Sequence, residues 1–355
     1  MHNRVPRPDR PPRVSWAISS DTNADAFDTY RGSFVDLYEV GDVAHAGKAD
    51  FSSRTTVHLF GSAVIGRGRS VAQTLSRDAA MVRRSGLDHV SLIINLAETV
   101  GDIDGKSVRA EAGSVQFRDL SRPSTSHTNK IDTLNIMIPR TSVPSWLLSK
   151  GLHGLVLPAS SPGGRLVASH LMTVAEVADG LSEAEGVAAI EAAFVIAERF
   201  MGHERSIAPA HTDAIHRSIR ERAMALMDAE PVNGRWTSDT LARAMGVSRT
   251  SLYRAFERTG GVKAYVLSRR LSRAYAELRA RKGNQPSVEQ IGQMHGFSDR
   301  RTFVAAFRQR FGMGPDEVPP SNPQASRLAQ DGSELPMDRA MHDVVMDWLR
   351  TSEAA

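Results

Sequence analysis

Cysteine is absent from this chain of 355 residues. The absence excludes disulfide bonds, a thiol nucleophile and a thiolate metal site, and it suits a cytoplasmic protein, which is what we expect. Apolar runs of the ~20 residues needed to cross a bilayer are also absent, so we predict no membrane partner. Met1–Arg13 is rich in Pro and Arg without an apolar segment, which is not the pattern of a secretory signal, and we interpret residues 1–13 as a disordered arm.

The short motifs of common enzymes are missing as well. The chain has no Gly-x-Ser-x-Gly, phosphate-binding loop or zinc-ligand spacing. Within residues 27–140, the histidines stand singly: His45, His58, His89 and His127. Metal chemistry needs clustered His and carboxylate ligands. We therefore predict no catalytic residue, no metal site and no cofactor.

The charge is distributed unevenly along the chain. Residues 212–318 hold 19 Lys and Arg against 11 Asp and Glu, a net of +8, although the whole chain carries only +4. Seventeen of the 19 are arginine, the residue suited to bidentate contacts with bases and phosphates. A basic excess confined to one segment predicts contact with nucleic acid there.

A short pattern occurs twice within this basic segment, about fifty residues apart. The paired positions are Leu241 and Ile291, Gly246 and Gly296, Ser248 and Ser298, Leu252 and Phe303, and Phe256 and Phe307. The first three pairs are offset by 50 residues and the last two by 51, so the second copy has one extra residue after its serine. The repetition predicts two equivalent helical units.

Each copy has the pattern of two helices joined by a tight turn. A glycine ends the first helix, because a left-handed conformation costs glycine little. The serine two residues later caps the next helix. That helix buries two apolar side chains at helical spacing and leaves its other face free for a major groove. We therefore predict two helix-turn-helix motifs, connected by a helix over Lys263–Arg281 that packs on both through Leu267, Leu271, Ala274 and Leu278.

This region resembles the DNA-binding domain of the AraC/XylS family of bacterial transcription regulators over roughly residues 212–318. The resemblance is carried by Leu241–Arg243, Gly246–Arg249, Leu252–Arg254, Phe256, Arg269–Leu271, Gly296–Ser298, Phe303, Phe307–Arg308, Phe311–Gly312 and Pro315. The sequence departs from the family pattern in the loop Thr259–Lys263, which lacks the usual Ser-Pro. It departs again at Ala305, where the family often has a DNA-facing arginine, and at Pro319-Pro320.

The sequence of the N-terminal half predicts short β-strands followed by helices. Alternating or β-branched segments predict strands over Phe34–Val40, Thr55–Phe60, His89–Leu96, Ala112–Phe117 and Leu134–Ile138. Apolar residues at three- and four-residue spacing predict helices over Val143–Lys150, Gly164–Asp179 and Ala184–Gly202. The family resemblance implies a cupin-like barrel for the strands and a dimer face for the last two helices. Intradomain packing of these helices is the alternative.

We accordingly predict an α+β protein: an N-terminal cupin-like β-barrel with flanking helices and a C-terminal all-α domain with two helix-turn-helix motifs. The predicted divisions are a sensor and dimerisation domain at 14–205, a DNA-binding domain at 206–320 and a C-terminal extension at 321–355. Within the extension, Met337–Leu349 has the pattern of a short amphipathic helix.

The predicted function is a sequence-specific transcription regulator, an activator, controlled through its N-terminal domain. The alternatives are a metal-dependent cupin-type enzyme and an architectural DNA-binding protein. The predicted DNA-binding residues are Arg249, Thr250, Ser251, Tyr253, Arg254, Arg300, Arg301 and Thr302. The expected partners are double-stranded DNA and a second copy of the chain, with RNA polymerase and a small-molecule effector left open.

A resemblance to the XylS-like branch implies an organic effector such as an aromatic acid. Leu92–Leu96 and Leu134–Ile138 are candidate pocket strands, and Arg118 or Arg140 is available to pair with a carboxylate. In the alternative, these strands are filled core and a protein partner exerts the control.

Overall fold

The computed structural model describes residues 10–34, 36–41, 43, 48–149, 151–201, 219–220, 222–223, 226–227, 236–257, 261–281, 286–320 and 339–351. The chain divides into two compact units. The first contains the chain up to His203 and also Asn322–Glu353, and the second contains Glu204–Ser321. Residues 1–9 of the expected arm, the expected linker 203–211, residue His45 and residues 321–338 of the extension lie outside the described residues.

Twelve strands form the body of the described part of unit 1. They are β1 Arg13–Ser19, β2 Glu39–Val40, β3 Ser52–Phe60, β4 Ala63–Ser70, β5 Gln73–Arg77, β6 His89–Asn95, β7 Thr99–Ile103, β8 Lys106–Ala110, β9 Val115–Asp119, β10 Ser124–Thr128, β11 Ile131–Pro139 and β12 Val156–Leu157. They pair antiparallel into a seven-stranded sheet, ordered β1-β3-β4-β11-β6-β9-β12, and a five-stranded sheet, ordered β2-β5-β10-β7-β8.

The structure confirms the α+β class but divides the expected barrel into two sheets. No hydrogen-bonded ladder joins the two sheets among the described residues. A barrel requires its edge strands to pair with each other. The family resemblance implied the barrel, whereas the period-2 pattern identifies strands but carries no information on which sheet edges pair.

Most of the predicted strands are present. The segments around Thr55–Phe60, His89–Leu96 and Leu134–Ile138 lie in β3, β6 and β11. The prediction for Phe34–Val40 is wrong apart from its last two residues. Arg13, assigned to the disordered arm, instead begins β1, which pairs with β3 in a register that sets Arg13 opposite His58. A short strand becomes stable here because the neighbouring strand supplies its hydrogen bonds.

Six helices of at least five residues belong to the described part of unit 1. They are α1 Ala26–Ser33, α2 Ala79–Ser85, α3 Ser145–Ser149, α4 Pro162–Val177, α5 Glu183–Met201 and α11 Arg339–Thr351. The last is the helix expected at Met337–Leu349, shifted by two residues. No described helix of the chain is long and apolar enough to cross a bilayer.

Helices α4 and α5 pack against the larger sheet with one face. Leu171 and Val174 of α4 and Ile190 and Phe194 of α5 share a core with Phe60 and residues of β6 and β11. Leu171 is fully buried in this core, so it is not available to the dimer face expected on these helices. Packing on the sheet occupies only part of the apolar residues of α4, because Leu166 and Val177 are exposed.

The described part of unit 2 contains the helices α6 Ser238–Met245, α7 Arg249–Phe256, α8 Val262–Ala280, α9 Val288–Met294 and α10 Arg300–Phe311. The buried side chains of Ile219, Ala223 and Met227 join α6 and α7 in one core, and α9 and α10 form a second core. Helix α8 enters both: Val262 and Tyr265 pack in the first, Leu271 and Leu278 in the second. Leu267, expected in this contact, is instead 41% exposed.

The packing of α5 on the sheet generates a stability prediction. A Cβ added at Gly186 would lie 2.0 Å from the ring of Phe60, which is fully buried. We expect Gly186→Leu to lower the free energy of unfolding by about 1–3 kcal/mol, the usual cost of overpacking a core. Urea denaturation measures it. Gly180→Ala is the control, because a Cβ there meets nothing within 4 Å. Equal stability of the two variants would contradict the packing.

Candidate nucleic-acid interface and ligand cavity

The first helix-turn-helix motif is built from α6 and α7. Thr237 and Thr240 form a capping box that starts α6, and Gly246 ends that helix with a φ of 65°, in the left-handed region that favours glycine. The Ser248 hydroxyl accepts a hydrogen bond from the amide of Ser251 and so starts α7. Leu252 and Phe256 are fully buried, which turns the opposite face of α7 outward.

The second motif repeats this design with one change. Ser287 and Gln290 form the capping box of α9, and Gly296 adopts a φ of 81° in the turn. The cap of α10 is Asp299, whose carboxylate accepts from the amide of Thr302 at 2.8 Å, and not Ser298 as the repeat predicted. Ser298 donates to the Asp299 carboxylate. The extra residue of the second copy therefore moves the cap by one position.

The second motif is also tied to α8 through its turn. The buried side chain of His295 lies with Nε2 2.7 Å from Oε2 of Glu277 on α8. Burial lowers the pKa of His295, although Glu277 opposes this effect. The bond holds α9 against the helix that also packs on the first motif. Because α8 has 19 residues, it is about 28 Å long, close to the ~34 Å between successive major grooves on one face of DNA.

The eight predicted DNA-binding residues all lie on or beside α7 and α10. They differ in whether their side chains already form ion pairs or helix caps. Arg249 pairs with Asp239 at 2.7 Å and Arg300 with Asp316 at 2.9 Å. Ser251 and Thr302 take part in the caps, and Thr250 opens α7 beside them. Arg254 and Arg301 are exposed, and neither side chain has an ion-pair partner within the described chain. Tyr253 is 49% exposed on α7.

The arginine pairs at the surface are weak restraints. The side chains of Arg300 and Asp316 are 55% and 58% exposed, and those of Arg249 and Asp239 are 62% and 50% exposed. Exposed pairs of this kind contribute about 0–1 kcal/mol. Each arginine can therefore exchange its carboxylate for a phosphate or a base at little cost. Arg301 also shares a surface depression with Asp299, Thr302 and Ala305.

A cavity of about 160 Å³ lies between the two sheets of unit 1. Residues of both sheets line it, together with the α1 region and Val345 of α11. Its walls combine apolar side chains such as Trp16 and Met137 with small hydroxyl residues. The described lining residues include two arginines, Arg69 and Arg118, and no Asp or Glu.

Arg118 is the charged group inside this cavity. Its side chain is buried, and its guanidinium donates to Ser126 Oγ at 3.2 Å and to Gln116 Oε1 at 3.3 Å. Burial lowers the pKa of Arg118, although the nearby Tyr38 hydroxyl opposes the effect. Arginine nevertheless remains protonated in proteins. The cavity therefore holds a positive charge whose protein partners in the described chain are neutral.

Three buried polar atoms at the cavity have no hydrogen-bond partner in the described chain. They are Nε of Arg118, Nε1 of Trp16 and Oδ1 of Asn95. A buried polar atom left without a partner costs about 1–3 kcal/mol. Two hydrogen-bond donors, one of them on the buried cation, and one acceptor are therefore left for a polar ligand, which would form these hydrogen bonds on binding.

Arg140, the other effector candidate, does not line the cavity. Its guanidinium pairs with the carboxylates of Asp88 and Asp119 and so joins the ends of β9 and β11. Both candidate strands contribute residues to the cavity wall, but only with one face each. Ile93, Asn95, Asn135 and Met137 face the cavity, whereas Leu92, Ile94, Leu134 and Ile136 pack in the core beneath α4 and α5.

Three of the histidines singled out from the sequence, His58, His89 and His127, lie in ordinary positions of the fold of unit 1. His58 Nε2 lies 2.9 Å from Asp179, His127 Nδ1 lies 3.0 Å from Thr74 Oγ1, and His89 is fully buried. Across the described residues, no group of three or more His, Asp or Glu side chains has the arrangement of a metal site.

Comparison with known proteins matches both units to families. A family model described as a helix-turn-helix domain matches residues 241–319, and one described as an AraC-binding-like domain matches residues 38–196. A structure titled an AraC-type DNA-binding-domain transcriptional regulator, from Chromobacterium violaceum, is 31% identical. It is matched over 30% of this chain and 92% of its own, with a TM-score of 0.27.

Two longer solved structures are similar at lower identity. The AraC-like transcriptional activator CuxR is 22% identical over 74% of this chain and 96% of its own, with a TM-score of 0.49. ToxT from Vibrio cholerae O395 is 15% identical over 66% of this chain and 90% of its own, with a TM-score of 0.34. With a helix-turn-helix match on the basic repeat and an AraC-binding-like match on the sheets, the chain belongs to the AraC/XylS family of transcription regulators.

Proposed function

We propose that this protein is an effector-controlled transcription activator that binds two adjacent major grooves as a homodimer. The observation that carries the proposal is the pairing of two capped reading helices, α7 and α10, on one connecting helix with a separate cavity that holds the buried Arg118. The first feature serves sequence recognition, and the second serves recognition of a signal. Direct contact with RNA polymerase would be the route to activation.

Arg254 and Arg301 are the leading base readers. Both are exposed on the outward face of a reading helix, and an arginine fork matches O6 and N7 of guanine. Arg300 joins them after exchanging its exposed pair with Asp316. Arg249, at the start of α7, is better placed for a phosphate, because helix N-termini and nearby cations favour anions.

The effector proposed for the cavity is a small organic molecule with an apolar body and a carboxylate. A carboxylate would accept from the unpartnered Nε of Arg118 and balance its charge, and the apolar walls would cover the remainder. A cavity of about 160 Å³ suits a molecule with a single ring or a short chain. An aromatic acid meets these requirements.

The proposed dimer face uses the outer sides of α4 and α5. Leu166 and Val177 of α4 and Val195 and Phe200 of α5 are each 47–59% exposed. Leu166 and Val177 are 11 residues apart, three helical turns, and so lie on one face. The occupant we assign is the same face of a second copy, because closed two-fold contacts are the commonest form of homo-oligomer.

The base-reading proposal predicts position-specific losses. Arg254→Ala and Arg301→Ala should each cost about 1–3 kcal/mol of binding free energy on the preferred sequence and relax preference at one base position. Binding selection with randomised DNA measures both effects. Arg83→Ala removes the same charge from an exposed site in unit 1 and should change neither. Uniform weakening on all sequences would instead identify both arginines as phosphate contacts.

The effector proposal predicts selective stabilisation by acids. Benzoate at 100 times its dissociation constant should raise the free energy of unfolding by about 2.7 kcal/mol, whereas benzamide should not. Thermal shift of the full-length protein measures this. Arg118→Gln should abolish the response, and Arg54→Gln, on the exposed side of β3, should retain it. A response that survives Arg118→Gln would contradict the assigned site.

The dimer proposal predicts dissociation by one added charge. Val195→Glu places a carboxylate at a side chain that is 59% exposed, so the monomer should fold normally while the dimer should separate. Light scattering at micromolar concentration measures the mass. Ser107→Glu, on the exposed edge strand β8, is the control. A wild-type protein that is monomeric at this concentration would end the proposal.

A further inference from the structure

The C-terminal helix α11 packs on the N-terminal unit. Val344, Val345, Met346 and Leu349 are buried in a core that also holds side chains of α1, β1 and β4. Leu349 is fully buried and Met346 is 1% exposed. The guanidinium of Arg350 lies 3.7 Å from the Asp36 carboxylate, next to α1. This helix lies beyond residue 319, where the helix-turn-helix family match ends.

One residue of α11 also forms part of the cavity wall. Val345 lines the cavity together with Tyr30 and Ser33 of α1 and Leu37 and Tyr38 of the following segment. The neighbouring Met346 and Leu349 do not line it, although they share its core. The cavity that contains Arg118 is therefore completed by a segment that follows the DNA-binding unit in the chain.

Resting on the proposed function, we propose that α11 is a gate of the effector site: docked α11 covers one side of the cavity, and that side opens to solvent when α11 leaves. Val345 is then a specificity-determining residue, because its side chain forms part of the cavity wall. The ligand class is the same apolar carboxylate, and the C-terminal extension becomes part of its binding site.

The physical basis of the gate is the weakness of a short helix alone. Isolated helices of fewer than about 12–15 residues are marginal in water, so the 13 residues of α11 depend on the docked surface for their structure. A ligand that touches Val345 binds the docked state better than the undocked state. By linkage, docking then raises ligand affinity by the same factor as the ligand raises docking.

The absence of cysteine allows a direct test of the gate. Val64 lines the cavity and is fully buried, so Val64→Cys places a single thiol of the whole chain there. Labelling by 5,5′-dithiobis(2-nitrobenzoate) should be slow in this variant. Adding Leu349→Asp, which cannot dock without burying a charge, should speed labelling at least about tenfold through local opening. Arg350→Glu, which faces Asp36 with a like charge, should give a smaller increase with less risk to folding.

The control must separate local opening from global instability. Gly186→Leu destabilises the core beneath α5, which is a different core from that of α11. Combined with Val64→Cys, it should leave the labelling rate near that of the parent. Circular dichroism establishes that each variant is folded. The gate would be overturned by equal labelling rates for Val64→Cys with and without Leu349→Asp. It would also be overturned if Gly186→Leu accelerated labelling as much as Leu349→Asp does.

The labelling needs neither DNA nor effector. Failure of the gate would therefore leave DNA binding and benzoate stabilisation intact, and failure of the proposed function would leave the labelling difference intact. Where benzoate does stabilise the protein, it should slow the labelling of Val64→Cys in the parent and lose this effect in the Leu349→Asp chain. Protection by benzoate without α11 would show that the ligand does not depend on the helix.

Discussion

The burial of α8 in two cores at once is the constraint on which the DNA-binding unit depends. Tyr265 belongs to the core of the first motif and Leu271, less than two turns later, to that of the second. Neither reading helix can rotate or slide without disturbing an interface that α8 also forms. The contact between His295 and Glu277 adds a polar restraint at the second turn. A rigid spacing of this kind restricts the DNA on which both readers can bind together.

Unit 1 contains buried polar atoms that have no hydrogen-bond partner in the described chain. Folded proteins rarely bury a charged group without a partner of opposite charge, because desolvation is costly. Arg118 is surrounded instead by Ser126, Gln116 and Tyr38, with donor and acceptor atoms left over at Trp16 and Asn95. The proposed ligand would offset the cost of such an arrangement by pairing with these groups.

The C-terminal extension is associated with both units. Its helix belongs to the sensor unit by packing and to the DNA-binding unit by chain connection. A fragment limited to residues 14–205 would lack Val345 and the rest of α11, and with them a wall of the cavity. The extension that the sequence sets apart at residues 321–355 therefore contributes its helix α11 to a core of the N-terminal unit.

Local signals in the sequence determined the helix-turn-helix units, most of the strands that were predicted and the amphipathic C-terminal helix, because capping, glycine turns and periodicity act between residues close in the chain. The repeat of Gly246 and Ser248 at Gly296 and Ser298 was such a signal, and it misplaced only the second cap. Tertiary structure alone decided which apolar faces meet. It buried Leu171 and exposed Leu267, turned Asn95 and Asn135 toward the cavity, paired Arg140 with two carboxylates, and set Val345 in the cavity wall. These outcomes depend on contacts between residues far apart in the chain, and periodicity identifies a buried face without identifying what covers it.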